Sequence, residues 1–497
     1  MSPGRIIAVV MTCALVTGCG HLGGVARRSK AHEDGVSGSI VEIIVTYQEY
    51  SPFMPWQKNQ PGVRYGYGVV VDESTVITTE NLVRNHRLVE LRRPRTGEKI
   101  GVSVEISDTQ AGLALLKVPR IKAAEGMKPI GLVAGVTQNE RVQIYQLDET
   151  TQVQRGDAEV LTISVAKLPW APYSCLTFQL LSKVNINGDG AMVVHDGKLA
   201  GIIISYDSSS RTALMLPYPV IKRFLEDARN PPYRGFASAG FLWNTLVDPA
   251  KRAYLGVEEE GKGILLLSIL PGTGASETLK PNDVILEWDG KQVDNLGFYE
   301  DSEFGRLTFS HLIKGRRRPG DTVTATIVRD KKKHVIRVPL RRRTDEDSMI
   351  PDNVSGEQAE YLVEGGMIIR ELSGKYLMSH GGSWKESVGA RIAHLYLTKR
   401  YMPEKKGDRV IVLGGALPDP INIGYQRFRN YIITHLNGKP VKTMAQVFRI
   451  KDEDGSITRI RLQSVDVDLV LDKDALQEAN ARLARLYRVS RMSFRRQ

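Results

Sequence analysis

From about position 39 to 216 the chain is a succession of short apolar runs cut by polar and turn residues: SIVEIIVTY, YGVVVDESTVITT, RLVELRR, LALLKV, RVQIYQL and KLAGIIISY. Alternation at a period of two, with β-branched residues and little helical periodicity, predicts strands. So many strands at close spacing predict an antiparallel sandwich or barrel. The pattern then changes: PVIKRFLEDARN has the spacing of a helix with proline near its start, and NPPYRG ends it as a boundary. Further on, DVILEWDGKQV at 283–293 and YIITHLNGKPV at 431–441 repeat one another. Each reads as a strand, a tight Asp/Asn-Gly turn, a lysine and a valine, followed by a helical pattern and another strand. Two copies imply two related small α+β domains, over 233–343 and 361–472, joined by a solvated linker at 344–360. A basic segment from 473 to 497 ends the chain. Arg482, Arg485 and Arg488 lie there at helical spacing, fit for a solvated helix face or for contact with anionic lipid.

Composition narrows the function classes. The 497 residues are 42% hydrophobic and 25% charged, ordinary for globular domains, and the net charge of +12 is dispersed apart from clusters near 314–343 and at the C-terminus. No zinc spacing and no nucleic-acid motif is present, so neither a metal, a cofactor nor a nucleic-acid partner is expected. Arg5, the apolar run IIAVVMTCALV and then TGC read as an export signal over residues 1–18. LVTGC is similar to the bacterial lipobox, which implies cleavage before Cys19, lipid on that residue, and a flexible tether over 19–38. No later run reaches the ~18 apolar residues of a membrane span, so attachment by lipid in the periplasm, at the outer membrane, is expected. Lipid on Cys19 leaves Cys175 as the remaining thiol, with no intrachain disulfide.

The candidate chemistry sits in NINGDGAM at 185–192. Gly188 and Gly190 flank Asp189, which places that acid at the tip of a tight, exposed turn of the kind that presents nucleophiles. Such a carboxylate, with an ordinary pKa of ~3.9, is ionised at neutral pH and opposes a forming oxyanion.

A strand-rich domain followed by two such repeats resembles the HtrA/Deg family, a trypsin-like double β-barrel with two PDZ domains, and is most similar to its plant-type Deg members. The resemblance rests on SPFMPWQKN at 51–59, YRGFASAGFLWNTLVDPAKRAYLGV at 233–257 and INIGYQRFRNYIITHLNGKPVKTMAQV at 421–447. It implies a mainly β fold, with the barrels over 39–230. It also implies that the family's catalytic histidine, aspartate and serine fall on Asn81 in TTENLV, Gly112 in SDTQAGLALLKV, and Asp189. Asp108 matches a second, non-catalytic acid. A serine mechanism needs a hydroxyl, an imidazole base and an acid that orients it. The expectation is therefore a chain that is not an enzyme: a lipid-anchored pseudoprotease acting as a peptide-binding scaffold. Two alternatives stand beside it, a regulatory subunit of an active relative and an active endopeptidase whose triad lies elsewhere. His86, His195 and a Glu80–Asp189 acid pair are the replacements considered.

The resemblance also implies a carboxylate-binding loop at Ala239, Gly240, Phe241 and Leu242, with Leu307, Phe309, Leu312 and Ile313 supplying a groove helix and an apolar pocket. The expected ligands are peptide C-termini or unfolded segments. Family members form trimers through the barrel domain, which implies a homo-trimer or a mixed oligomer with an active relative. Whether the second groove is open stays undecided.

Overall fold

The computed structural model describes residues 35–93, 97–119, 127–352, 358–465 and 467–496. Residues 1–18 and Cys19 lie outside the described residues. Among the described residues no helix is long and apolar enough to cross a membrane.

The first barrel closes β1 (Ile40–Tyr47), β2 (Gly62–Asp72), β3 (Thr75–Thr79), β4 (His86–Arg92), β5 (Lys99–Asp108) and β6 (Leu113–Lys117) in the order β1-β2-β3-β6-β5-β4. Closure follows from β1 pairing antiparallel with both β2 and β4. Alternation decides the two faces: Val41, Ile43, Val45 and Val76 fill this barrel. Ile40, Tyr67, Ile77, Leu113 and Leu115 turn the other way and join a shared core with the second barrel. β3 is buried throughout because both its faces meet apolar surface. Each such side chain contributes ~1.5–3 kcal/mol of transfer free energy.

The second barrel is built from β7 (Arg141–Leu147), β8 (Val153–Lys167), β9 (Ser174–Ser182), β10 (Met192–His195), β11 (Lys198–Asp207) and β12 (Thr212–Pro217), closed in the order β10-β11-β12-β9-β8-β7. The helix Tyr218–Ala228 follows, with proline in its first turn and Val220, Ile221, Phe224 and Leu225 buried.

The first α+β unit pairs β13 (Ala237–Ser238) with β22 (Arg341–Arg342). Its sheet runs β14 (Phe241–Asn244), β15 (Ile264–Ile269), β16 (Val284–Trp288), β20 (Thr322–Arg329) and β21 (Lys332–Pro339), and β17 (Lys291–Gln292) folds back on β16. A hairpin of β18 (Phe298–Asp301) and β19 (Gly305–Thr308) precedes the short helix Ser310–Lys314. β14 is the end strand of this sheet.

The second unit has the strand order β29-β28-β26-β25-β24-β23-β30, from β23 (Tyr361–Glu364), β24 (Met367–Glu371), β25 (Ile411–Ala416), β26 (Tyr431–Leu436), β28 (Arg459–Leu462), β29 (Asp468–Val470) and β30 (Ser493–Phe494), with β27 (Lys439–Pro440) folded on β26. The repeated motif forms the same hairpin twice. Asp289-Gly290 and Asn437-Gly438 both take positive φ, as a two-residue type I′ turn requires. The two units differ at one edge: β24 is covered by β23, and β23 in turn by β30.

Two expectations change here. The segment 344–360 is not a solvated linker along its described length: Ser348, Ile350 and Asp352 are buried, and Thr344 with Asp347 makes a capping box. The basic C-terminal segment forms a helix, as its spacing led one to expect, but it is docked on the second unit along its apolar face. Leu476, Ala479 and Leu483 on the helix Leu476–Leu486 are buried, and Arg482 pairs with Asp419 at 2.7 Å. Cationic spacing marked the outer face, while the small and apolar positions between set the packing. The segment 51–59, between β1 and β2, docks on the second unit. Phe53 packs edge-on to Tyr376 and His380, Arg370 donates to the Pro52 carbonyl, Gln358 to the Pro55 carbonyl at 2.8 Å, and Lys375 meets Glu49 at 2.9 Å.

Candidate functional site

Asp189 lies between the barrels. Gly190 has φ +87°, and a Cβ built on it would stand 2.1 Å from the Tyr67 carbonyl oxygen, so the turn after Asp189 presses directly on β2. The Tyr67 N–H donates to the Asp189 carbonyl at 2.8 Å, and Asp189 bridges to Gly66 in parallel. The expected exposed tip is thus a partly buried seam residue. Two flanking glycines signalled close backbone approach as much as a free turn.

The structure brings Asn81 to Asp189. Thr79 caps the short helix Glu80–Val83 by accepting from Leu82 N–H, which sets Asn81 in its first turn. From there the Asn81 amide donates to a carboxylate oxygen of Asp189 at 3.0 Å. Burial raises the Asp189 pKa above the ordinary carboxylate value, while the Asn81 hydrogen bond and the Arg64 charge pull it back down. Gly112 stands beside this helix, its carbonyl accepting from the Glu80 N–H at 3.0 Å, with φ +70°. Asn81 and Gly112 thus meet at the start of this helix, and of the two it is Asn81 that bonds Asp189. Chemically the seam offers a partly buried carboxyl held by an amide.

The side chains of the replacements considered are engaged by other partners. Glu80 is buried and engaged by Arg84 at 2.5 Å, His86 contacts the Val83 carbonyl, and His195 the Arg141 carbonyl. Asp108 accepts from Gln110 and Ala111 N–H and from the Tyr233 hydroxyl at 2.6 Å, tying the first barrel to the segment after the second.

Four further residues belong to the site. The Arg64 guanidinium lies over the Tyr47 ring and donates to the carbonyls of Asn81 and Arg84. The Tyr67 hydroxyl donates to Leu147 O across the barrels at 2.9 Å, and Thr78 donates to Tyr67 O. The Gln146 side chain accepts from Asn187 N–H at 3.0 Å and donates to Asn185 O at 2.8 Å, so a backbone donor of the turn is occupied. Neither Gln146 nor Arg64 has a sequence signal, because their partners lie on other elements.

In the first α+β unit, Ala239 and Gly240 form the loop entering β14, and Gly240 has φ +76° with its Cβ position 2.5 Å from the Thr273 hydroxyl. Leu242 is 36% exposed. Leu307, Phe309, Leu312 and Ile313, expected to line an apolar pocket, are all buried at 3% exposure or less. Phe309 stacks on Phe241 and meets Trp243 and Trp288 edge-on. The chain's own aromatic rings fill the space expected to take a ligand side chain. What β14 presents to a ligand is its backbone edge and Leu242. Among the described residues no group of three or more His, Cys, Asp or Glu could hold a metal ion.

Comparison with known proteins agrees with this fold. A family model described as a PDZ domain matches residues 350–493. The chain is 25% identical to Protease Do-like 2, chloroplastic, of Arabidopsis thaliana, over 85% of this chain and 69% of that one. It is 24% identical to Protease Do-like 4, mitochondrial, of the same plant, over 92% and 85%. Among solved structures, an HtrA-type protease, an AlgW variant with a decapeptide, superposes with a TM-score of 0.50 at 17% identity, over 63% of this chain and 97% of that one, which shows the fold. The expectation that the chain is not an enzyme is corrected by these relatives, which are named as proteases across most of its length. That expectation rested on residue identities at three positions, Asn81, Gly112 and Asp189, assigned by resemblance.

Proposed function

Since this chain is a homologue of the HtrA/Deg-family serine proteases that carry a PDZ domain, we propose that it captures extended polypeptide by strand addition at β14. The observation that carries this reading is the difference between two edges. β14 ends its sheet, whereas the corresponding strand of the second unit, β24, is covered by β23. An uncovered edge presents backbone donors and acceptors to an incoming strand. The loop at Ala239 and Gly240 leads into that edge; the Gly240 N–H donates to the Ser238 hydroxyl at 3.2 Å, a donor that a terminal carboxylate ending the strand would take over. The substrate class is therefore polypeptide with a free C-terminus, or an unfolded segment, presented to the barrel pair. The second unit serves as a structural brace.

The reading is tested by titrating the whole mature chain with peptides ending in apolar residues, free and amidated. Binding is expected for the free peptides, with loss on amidation and in Gly240→Glu; Leu242→Lys, which leaves the loop intact, should weaken it less. Equal affinity for free and amidated peptides would sink the carboxylate mode. We further propose that lipid on Cys19 holds the protein at the periplasmic face of a membrane, as the LVTGC segment supports. Cys19→Ala should release it to the soluble fraction, and unchanged fractionation would refute the anchor.

A further inference from the structure

The chain contains the dipeptide Asn-Gly twice, at Asn187-Gly188 and at Asn437-Gly438. Because glycine has no Cβ, its backbone nitrogen stands open to the side-chain carbonyl carbon of the asparagine before it. The fold treats the two pairs in opposite ways. In the hairpin of the second unit the Asn437 amide donates to Asp454 at 2.9 Å and to the Ser456 carbonyl at 2.8 Å. Its side-chain oxygen accepts from the N–H groups of Thr458 and Arg459 at 3.0 and 3.1 Å. Any swing of this side chain toward the Gly438 nitrogen breaks those four contacts.

Asn187 is exposed, and among the described residues its side-chain amide has no hydrogen-bond partner. Its neighbour Asn185, by contrast, is held by the Tyr206 hydroxyl at 3.1 Å. Nor does the Gly188 N–H find an acceptor among the described residues. A Cβ built on Gly188 would meet its nearest neighbours at 3.5 Å or more, so the peptide between the two residues has room to turn. The chain is fastened on both sides of this slack link. Gln146 holds the Asn187 N–H at 3.0 Å and the Asn185 carbonyl at 2.8 Å, and the Tyr67 N–H holds the Asp189 carbonyl at 2.8 Å.

A free amide, a free nitrogen and room between two fixed points meet the requirements of an intramolecular acyl transfer. We infer that Asn187 is a site of spontaneous modification, at which the Gly188 nitrogen displaces ammonia from the Asn187 side chain. The nitrogen bonds to Cγ and gives up its proton; the bond from Cγ to the side-chain nitrogen breaks, and that nitrogen leaves with the proton as ammonia. One water then opens the five-membered imide. Breaking the new bond to Cγ leaves an aspartate, whereas breaking the bond to the backbone carbonyl carbon leaves an isoaspartate whose main chain is one carbon longer. Ammonia leaves, water enters, and nothing is oxidised or reduced. Either product sets a carboxylate close in sequence to Asp189, a like charge that favours the protonated form of that carboxyl. The longer main chain of the isoaspartate also loosens the link from Gln146 to the barrel seam.

The test incubates the whole chain at mildly alkaline pH, folded and in urea, and follows both Asn-Gly peptides by mass-detected peptide mapping, with isoaspartate counted by enzymatic methylation. In the folded protein Asn187 should convert faster than Asn437 by about tenfold or more, since the contacts of Asn437 must break first. In urea the two rates should come together. Gly188 has no left-handed φ, so Gly188→Ala should keep the fold and slow conversion of Asn187 by about tenfold or more, its methyl crowding the attacking nitrogen. Equal rates at the two sites in the folded protein, or an Asn187 that converts only in urea, would overturn the site. A rate difference that persists in urea would overturn it too, because the selectivity would then belong to the flanking sequence. None of these outcomes bears on peptide capture at β14, which is read by Gly240→Glu.

Discussion

At the scale of single residues, the seam between the barrels depends on atoms that have no room to move. Gly190→Ala places a methyl 2.1 Å from the Tyr67 carbonyl in a left-handed backbone conformation. It should cost more than ~2 kcal/mol, read as a lower urea midpoint at unchanged slope. The Asp189 carboxyl has a raised folded pKa, so the folded state holds its proton to higher pH than the unfolded chain does. Stability from this group is therefore present at low pH and lost as pH rises from the unfolded value through the folded one. Asp189→Asn keeps an acceptor for Asn81 and should melt higher than the parent at pH 7, the gap closing toward pH 4; a constant gap would refute the assignment. Asp301 runs the other way, lowered to about 2 by Arg316 and neighbouring N–H and O–H donors against the cost of burial. Its contribution is full above the ordinary carboxylate value near 3.8 and disappears as pH falls toward 2. Arg316→Met should flatten acid unfolding over that window. The closeness of Asn81 and Asp189 could be read from sequence by resemblance, because each sits in a locally recognisable segment. Gln146 and Arg64 escaped because a long polar side chain shows nothing of its partner until the sheets are closed.

Among the elements, those with local causes were the readable ones. The strands of both barrels follow from alternation, and the twin hairpins at Asp289-Gly290 and Asn437-Gly438 follow from their turn residues. β23 and β30 did not declare themselves. They are short, and Tyr361 finds its partner Phe494 far along the chain, so no window of sequence contains the signal. The same nonlocality hid the fate of Leu307, Phe309, Leu312 and Ile313. Helical apolar spacing reads alike for a groove wall and for a core, and the packing partners Phe241 and Trp288 decide between them. If β30 completes the brace over β24, a chain truncated after Arg491 should exchange the Val363 amide faster, since that N–H donates to Met492 O at 2.6 Å. Mass-detected hydrogen exchange reads this directly, and unchanged protection at Val363 would show that β23 needs no cover.

Over the whole molecule, the second α+β unit grips the first barrel through the segment 51–59. Phe53→Ala removes a ring packed on Tyr376 and His380 and leaves Arg429 without its ring face. A loss of ~1–3 kcal/mol in the stability of this contact is expected, with earlier proteolytic cleavage near residue 54 as its readout. Cleavage kinetics equal to those of the parent would mean the segment is held without Phe53. The grip also sets a schedule on the ribosome. Arg370 and the Pro52 carbonyl are separated by 318 residues. At ~5–20 residues per second, about 15–60 s pass between their syntheses. Through that interval the first barrel can close while its Phe53 segment waits in water, with the docking surface still to be translated.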